Sequence, residues 1–160
     1  MVCFGTNSPE TIAAFLATNA LGAVWSSCSP DHGVDAVYDR FKQLQPKVFF
    51  AHRTYQYNGK KQDCTVRIAA VQKQIQSIAH TIHLDSYAAF DDTPAQIDQL
   101  QFISVSFSDP IWVLFSSGTT GKPKALVHGT GHMLLEHLKA LALHQNVCEG
   151  DTYFWYSTTG

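Results

Sequence analysis

The sequence predicts an α/β fold, a parallel-rich sheet with flanking helices, and three observations predict it. Short apolar runs alternate with amphipathic segments through the first half of the chain, a rhythm that argues for a parallel sheet covered by helices. The runs Lys47-Val48-Phe49-Phe50-Ala51 and Ile111-Trp112-Val113-Leu114-Phe115 read as buried strands. Capping and turn residues stand at the joints between these segments.

Taken in order, Val2-Cys3-Phe4 reads as a buried strand. Ser8 then caps a helix, with Pro9 suited to its first position and Glu10 to the positive end of its dipole. Ile12, Phe15 and Leu16 with several alanines make that helix a mostly apolar rod, and Gly22 stops it. Ala23 to Ser26 is a short strand, and Ser29-Pro30-Asp31 a turn. Val34, Val37, Tyr38, Phe41 and Leu44 fall at steps of three and four, which predicts a helix from Val34 to Gln45 ended by Pro46. The strand 47–51 follows, then a polar loop from His52 to Asp63. A third helix is expected over Val66 to Ile78, with Val66, Ile68, Ala69, Val71, Ile75 and Ile78 apolar, and a strand over Thr81 to Leu84.

The segment Asp85 to Gln101 is loop-like and acidic. After it come the strand 111–115, a glycine-rich turn, and the strand Ala125 to His128. Met133 to His144 reads as a helix that packs through Leu134, Leu135, Leu138, Leu141 and Ala142. Glu149-Gly150-Asp151 is a turn, and a last strand is expected from Tyr153 onward. The organisation read from this is a βα-repeat part (1–84), a connecting loop (85–110) and a part built around the glycine-rich turn (111–160). Both ends read as cut from something longer, because terminal segments are usually polar and frayed.

Bulk properties narrow the function. A chain of 160 residues can bury a core, roughly 70% of the unfolded surface at this size. A formal net charge of −2 offers no electrostatic footprint for nucleic acid or an anionic membrane. Cys3, Cys28, Cys64 and Cys148 stand at no metal-ligand or redox spacing and read as free thiols in a reducing, cytoplasmic setting. No apolar run approaches the ~20 residues that span a bilayer.

The informative segment is Ser116-Ser117-Gly118-Thr119-Thr120-Gly121-Lys122-Pro123-Lys124, set between two apolar strands. Its glycines let the backbone approach a ligand closely. Hydroxyls and successive N–H groups can donate to phosphate oxygens, and Lys122 and Lys124 supply positive charge. A surface turn uses the same residue types, but here nine consecutive residues are hydroxyl, glycine, lysine or proline with no filler. A Walker-type loop is excluded on three counts. Its first glycine would fall at Ser116, its magnesium-binding hydroxyl at Pro123, and the segment that follows reads as a strand instead of a helix.

This nine-residue run resembles the phosphate-loop signature of the adenylate-forming enzymes: acyl-CoA synthetases, luciferases and peptide-synthetase adenylation domains. Trp25-Ser26-Ser27-Cys28-Ser29-Pro30-Asp31 with Gly33-Val34, and Asp39-Arg40-Phe41 leading to Gln45-Pro46-Lys47, look like the acetyl- and acetoacetyl-CoA synthetase branch. Leu134 to His144 and the aromatic end with Ser157-Thr158-Thr159-Gly160 look like its acetoacetyl side. The resemblance implies a partial N-terminal domain of that fold and an ATP-dependent acid–thiol ligase using ATP, Mg2+ and coenzyme A. Ser116, Ser117, Gly118, Thr119, Thr120, Gly121, Lys122 and Lys124 would bind the ATP phosphates. It also implies that the adenine-stacking motif, the metal-binding glutamate, the ribose aspartate and the C-terminal catalytic lysine lie beyond Gly160. The isolated chain is therefore expected to be inactive and, with open sheet edges, prone to self-association. Acetate or propionate in place of acetoacetate, and a non-catalytic phosphate-binding fragment, are the alternatives.

Weaker candidates remain. Arg53, Lys60 and Lys61 could contact coenzyme A phosphates, although such clusters are commonly solvated surface. No histidine pair has metal-ligand context. Asp91-Asp92 reads as a solubilising loop, and Trp25, Trp112 and Trp155 as core.

Overall fold

The computed structural model describes residues 1–86, 101–117 and 121–157. The expected acidic pair Asp91-Asp92 and part of the connecting loop lie outside them. Four strands form a parallel sheet in the order β2-β1-β3-β6: β1 (Val2–Phe4), β2 (Ser26–Cys28), β3 (Val48–Ala51) and β6 (His80–His83). Three helices connect them: α1 (Pro9–Ala20), α2 (Val34–Phe41) and α3 (Thr65–Gln74). β1, β2 and β3 are almost wholly buried, while the edge strand β6 is only half-buried. Val2, Phe4, Phe49 and Ala51 point into one core with Val37 and Phe41 from α2, Ile68 and Val71 from α3, and Ile75 just past it. Cys3 and Phe50, one residue out of phase, point into the other with Ala14, Trp25 and Leu84. Period-two alternation between two apolar faces explains why these strands read as continuous hydrophobic runs.

Helix α1 is bounded as expected. The Ser8 hydroxyl accepts from Thr11 N at 3.3 Å. At the other end Gly22 takes φ +65, while Ala23 N reaches Thr18 O at 3.0 Å and Gly22 N reaches Asn19 O at 2.9 Å. That pair of bonds is a Schellman stop, which needs the left-handed conformation glycine adopts without steric cost. Its buried face, however, is Thr11, Ala14 and Thr18, and the expected Ile12 and Leu16 are exposed. The threonines bury cheaply because Thr11 Oγ1 donates to Thr6 O at 2.8 Å and Thr18 Oγ1 to Ala14 O at 2.7 Å. A hydroxyl satisfied by nearby backbone presents mainly its methyl to the sheet.

Other boundaries moved. The second strand is Ser26–Cys28, not 23–26, because it pairs with β1 from Val2 to Phe4. Helix α2 ends at Phe41, and the chain turns through Gln45 at φ 45 before Pro46. Val66 is exposed, so α3 packs through Ile68 and Val71, with Ile75 just past its end. The polar loop 52–63 is a hairpin: β4 (Thr54–Tyr57) pairs antiparallel with β5 (Lys60–Asp63). Asn58 and Gly59, at φ 49 and 72, form the turn. Asn-Gly accepts two positive φ values and matches the twist of the strands it joins.

The second half departs further. β7 (Pro110–Ser116) and β8 (Lys124–Gly129) form an antiparallel hairpin, although the bridge of β7 to the sheet edge, Trp112 with Trp25, is parallel. It joins the sheet edge at one place. Trp25 N donates to Ile111 O at 3.0 Å, and Val113 N to Trp25 O at 2.8 Å. The Ser26 hydroxyl donates to Val113 O at 2.7 Å. Phe15, Trp25, Phe50 and Trp112 pack ring to ring around this joint. Trp25 and Trp112 are therefore structural, as expected, but Trp155 is exposed.

Helix α4 (Thr130–Leu138) runs into a π-helical turn, Lys139–His144. Leu134, Leu135, Leu138 and Leu141, expected to pack, are exposed. Gly131 is the buried residue of α4, pressed against the Phe107 ring. The leucine stripe suits a neighbour that the described residues do not supply. Residues 153–157 likewise form no strand, since a strand needs a partner edge, and their aromatic side chains are exposed.

Phe49 is fully buried between the sheet and α2, edge-on to Phe41. Phe49→Ala is expected to lower stability by about 3–5 kcal/mol through lost transfer energy and the cavity left behind. Urea unfolding followed by far-UV circular dichroism would measure it.

Candidate functional site

The nine-residue motif forms the tip of the β7–β8 hairpin. Ser116 ends β7 opposite Lys124, which begins β8, so the ladder brings both ends of the loop together. Ser117 precedes the tip; Gly118, Thr119 and Thr120 lie outside the described residues. Gly121 has φ +84 and is exposed, with nothing within 4 Å of where a Cβ would stand. The glycine is thus required by backbone conformation and leaves open space above it. Lys122 and Lys124 are exposed beside it.

The loop is tied down on its return side. Gln43 Nε2 donates to Pro123 O at 3.1 Å and to Asp39 O at 2.7 Å. The Asp39 carboxylate takes the Lys42 ammonium at 2.7 Å. That bond holds the Asp39 carboxyl below its usual range, with a smaller contribution from the charge of Lys122. Lys122 and Pro123 therefore lie near the C-terminal end of α2 and the Asp39 carboxylate. Sequence reasoning missed Gln43. It lies between two noted segments, Asp39-Arg40-Phe41 and Gln45-Pro46-Lys47, and nothing local marks a glutamine that bonds 80 residues away.

The other cationic candidates lie on or beside the β4–β5 hairpin. Arg53 Nε reaches both Asp85 carboxylate oxygens, at 3.3 and 3.2 Å. Burial pushes the Asp85 carboxyl up, but the bonds and charge of Arg53 outweigh it and hold it below its ordinary value. Lys60 and Lys61 are exposed on β5 opposite Tyr57 and Gln56, next to the hairpin turn. Arg53 stands at the open end of the same hairpin, opposite Cys64, so about four strand residues, ~13 Å, separate it from the level of Lys60. No group of three or more histidine, cysteine or carboxylate side chains suited to a metal occurs among the described residues. Nor, among them, is any helix long and apolar enough to cross a membrane.

Open parallel sheets usually bind ligands beyond the carboxyl ends of their strands where the strand order reverses. Here that point lies between β1 and β3, and it is filled. His52 N donates to Phe4 O at 3.1 Å, and His52 Nε2 lies 3.3 Å from the Ser8 hydroxyl. A Cβ on Gly5 would stand 2.6 Å from His52 Nδ1. The imidazole plugs the crevice, which leaves the β7–β8 tip as the candidate site.

Residues 2–160 match the family described as AMP-binding enzyme. The chain belongs to that family. An acetoacetyl-coenzyme A synthetase of Rhizobium meliloti is 41% identical over 96% of this chain and 26% of that protein. An acetoacetyl-CoA synthetase of Mus musculus is 38% identical with the same coverage. The solved acetoacetyl-CoA synthetase from Streptomyces lividans is 40% identical, with a TM-score of 0.89 over 100% of this chain and 26% of its own. The chain thus spans about a quarter of the length of these relatives. Membership accords with the motif that first suggested it and with the α/β architecture.

Two outcomes test this geometry. Gly121→Ala is expected to cost about 1–2 kcal/mol, from left-handed backbone strain without a clash, measurable in the same urea assay. Burial holds the His52 imidazole below its ordinary value of 6.5, against the opposing pull of Asp85 and Glu10. Below 6.5 the unfolded chain binds the proton first, so this contribution is complete above 6.5 and is lost as pH falls through the depressed folded value. His52→Gln is expected to flatten the fall in urea midpoint between about pH 7 and pH 5.

Proposed function

We propose that this chain is the phosphate-loop part of an AMP-forming acid–thiol ligase that activates acetoacetate. The observation that carries the reading is the run Ser116 to Lys124 at a hairpin tip, in a chain whose relatives bear the name acetoacetyl-CoA synthetase. The domain division 1–84, 85–110 and 111–160 belongs to the same proposal, as part of the N-terminal AMP-binding domain.

In this reading a carboxylate oxygen of acetoacetate attacks the α-phosphorus of ATP, the bond to the bridging oxygen breaks, and pyrophosphate leaves. The thiol of coenzyme A, giving up its proton to solvent, then attacks the acyl carbonyl through sulfur, and AMP departs with the electron pair of the broken C–O bond. Charge accumulates on the β- and γ-phosphates in the first step. Ser116, Ser117, Gly118, Thr119, Thr120, Gly121 and Lys122 meet it with N–H, hydroxyl and ammonium donors, and Lys124 adds a second cation. Magnesium, when bound, would help neutralise charge on the phosphates, and no group of side chains suited to hold it occurs among the described residues. Arg53, Lys60 and Lys61 are the proposed contacts to coenzyme A phosphates. The commitment of Arg53 to Asp85 makes the two lysines the freer pair. The reaction needs only small molecules and a cytoplasmic supply of ATP and thiol.

ATP–pyrophosphate exchange with acetoacetate, with acetate and with no acid tests this, on the 160-residue chain and on any longer product of its reading frame. Exchange stimulated most by acetoacetate is expected in the longer product and not in the short chain. Lys122→Ala there is expected to lower the rate roughly 100-fold or more, the usual effect of losing one donor to developing charge. Absence of acid-dependent exchange in the longer product would overturn the assignment.

A further inference from the structure

The β7–β8 hairpin is held at two points that differ in kind. Its base is bonded to the sheet edge through Trp25, while on the return side of its loop the Gln43 side chain bonds the Pro123 carbonyl. Gln43 follows the end of α2, with its own N–H bonded to Arg40 O at 3.2 Å. The last turn of a helix leaves carbonyls without internal partners. Here Tyr38 O takes Lys42 N, Arg40 O takes Gln43 N and Phe41 O takes Leu44 N. Asp39 O takes one proton of the Gln43 amide. The other proton goes to Pro123 O. A primary amide has two donor protons, so both are in use and Nε2 is fixed between helix and loop.

The position of Pro123 gives this bond its consequence. Pro123 stands one residue outside the last ladder pair, Ser116 with Lys124, and its ring locks φ near −65°. Fixing its carbonyl therefore constrains the peptide that leads back to Lys122. Lys122 in turn lies close enough to Asp39 for its charge to act on that carboxylate.

We propose that Gln43 is a positioning residue for the phosphate loop, clasping the Pro123 carbonyl to α2 so that Lys122 is presented to a polyphosphate. The proposal rests on the phosphate-loop reading above. The clasp lowers the ordering cost of binding, since the backbone behind Lys122 is placed before the ligand arrives. Its role is indirect: Gln43 acts through Pro123 and touches no phosphate.

The test is titration calorimetry of magnesium tripolyphosphate into the 160-residue chain and its variants, with the thermal midpoint of each variant recorded alongside. Lys122→Ala reports on the loop itself. Gln43→Leu removes both donor protons, and Gln43→Lys restores donors at similar reach. Gln43→Leu is expected to weaken binding roughly threefold to tenfold, the effect of losing one or two exposed hydrogen bonds, with the thermal midpoint unchanged. Gln43→Lys is expected to recover affinity. A general structural role for Gln43 would instead lower the thermal midpoint and show no recovery with lysine, which would overturn the proposal. Unchanged affinity in Gln43→Leu, with weakened binding in Lys122→Ala, would also overturn it and leave the phosphate loop standing. No binding by the unsubstituted chain, or no effect of Lys122→Ala, would overturn the phosphate-loop reading and the clasp with it.

Discussion

The joint between Trp25 and Trp112 couples the two halves of this molecule. One half is a four-stranded parallel sheet with helices on both faces; the other is an antiparallel hairpin with a helix behind it. Two backbone hydrogen bonds to Trp25 and one from the Ser26 hydroxyl connect them, and four aromatic rings seal the contact. Tryptophan serves here because its area anchors both elements at once: Trp25 meets Phe15 and Phe50, and Trp112 meets Phe15. The indole of Trp112 also stacks on His137, centroids 5.7 Å apart, which ties α4 to the same point. The placement of the nine-residue loop follows from this joint, since it sets where β7 starts and how the hairpin crosses toward α2.

A hairpin tip is a different kind of anion site from a helix N-terminus. At a helix start, aligned peptide dipoles and free N–H groups supply the field. The described residues flanking the run Ser116 to Lys124 are strands, which supply no such dipole, so in the proposed phosphate-loop reading lysine charge, hydroxyls and local N–H groups supply the field. That accounts for the composition of the motif, with two lysines and several hydroxyls in nine residues. In the same reading the loop gains from being held from outside, and the Gln43 side chain bonds the Pro123 carbonyl. Meanwhile the crevice that parallel sheets commonly use for ligands is occupied by the protein's own His52.

The elements legible in the sequence were those whose signal is local. Ser8, Pro9 and Gly22 marked both ends of α1, because caps and left-handed stops are properties of a few adjacent residues. The stripe from Val34 to Leu44 marked α2, with Val37 and Phe41 buried as its period requires. The hairpin 54–63 carries an equally local signal in Asn58-Gly59, but its polar strands show no apolar alternation: Lys60 and Lys61 pair with Tyr57 and Gln56 on an exposed ribbon. The leucines of α4 misled for the opposite reason. Periodicity reveals that a face is apolar, but not whether the described part of the chain contains what covers it.

What the sequence by itself determined is therefore the alternation of strands and helices in the first half, the ends of α1, and the family that the run from Ser116 to Lys124 pointed to. Each depends on dihedral preferences or functional groups within a few consecutive residues. Only the tertiary structure decided that β7 bridges β2, that Thr11 and Thr18 face the sheet while Ile12 and Leu16 do not, that Arg53 is paired with Asp85, and that Gln43 reaches Pro123. These are contacts between residues far apart in the chain. Their energies depend on three-dimensional distance and burial, which no local pattern of side chains encodes.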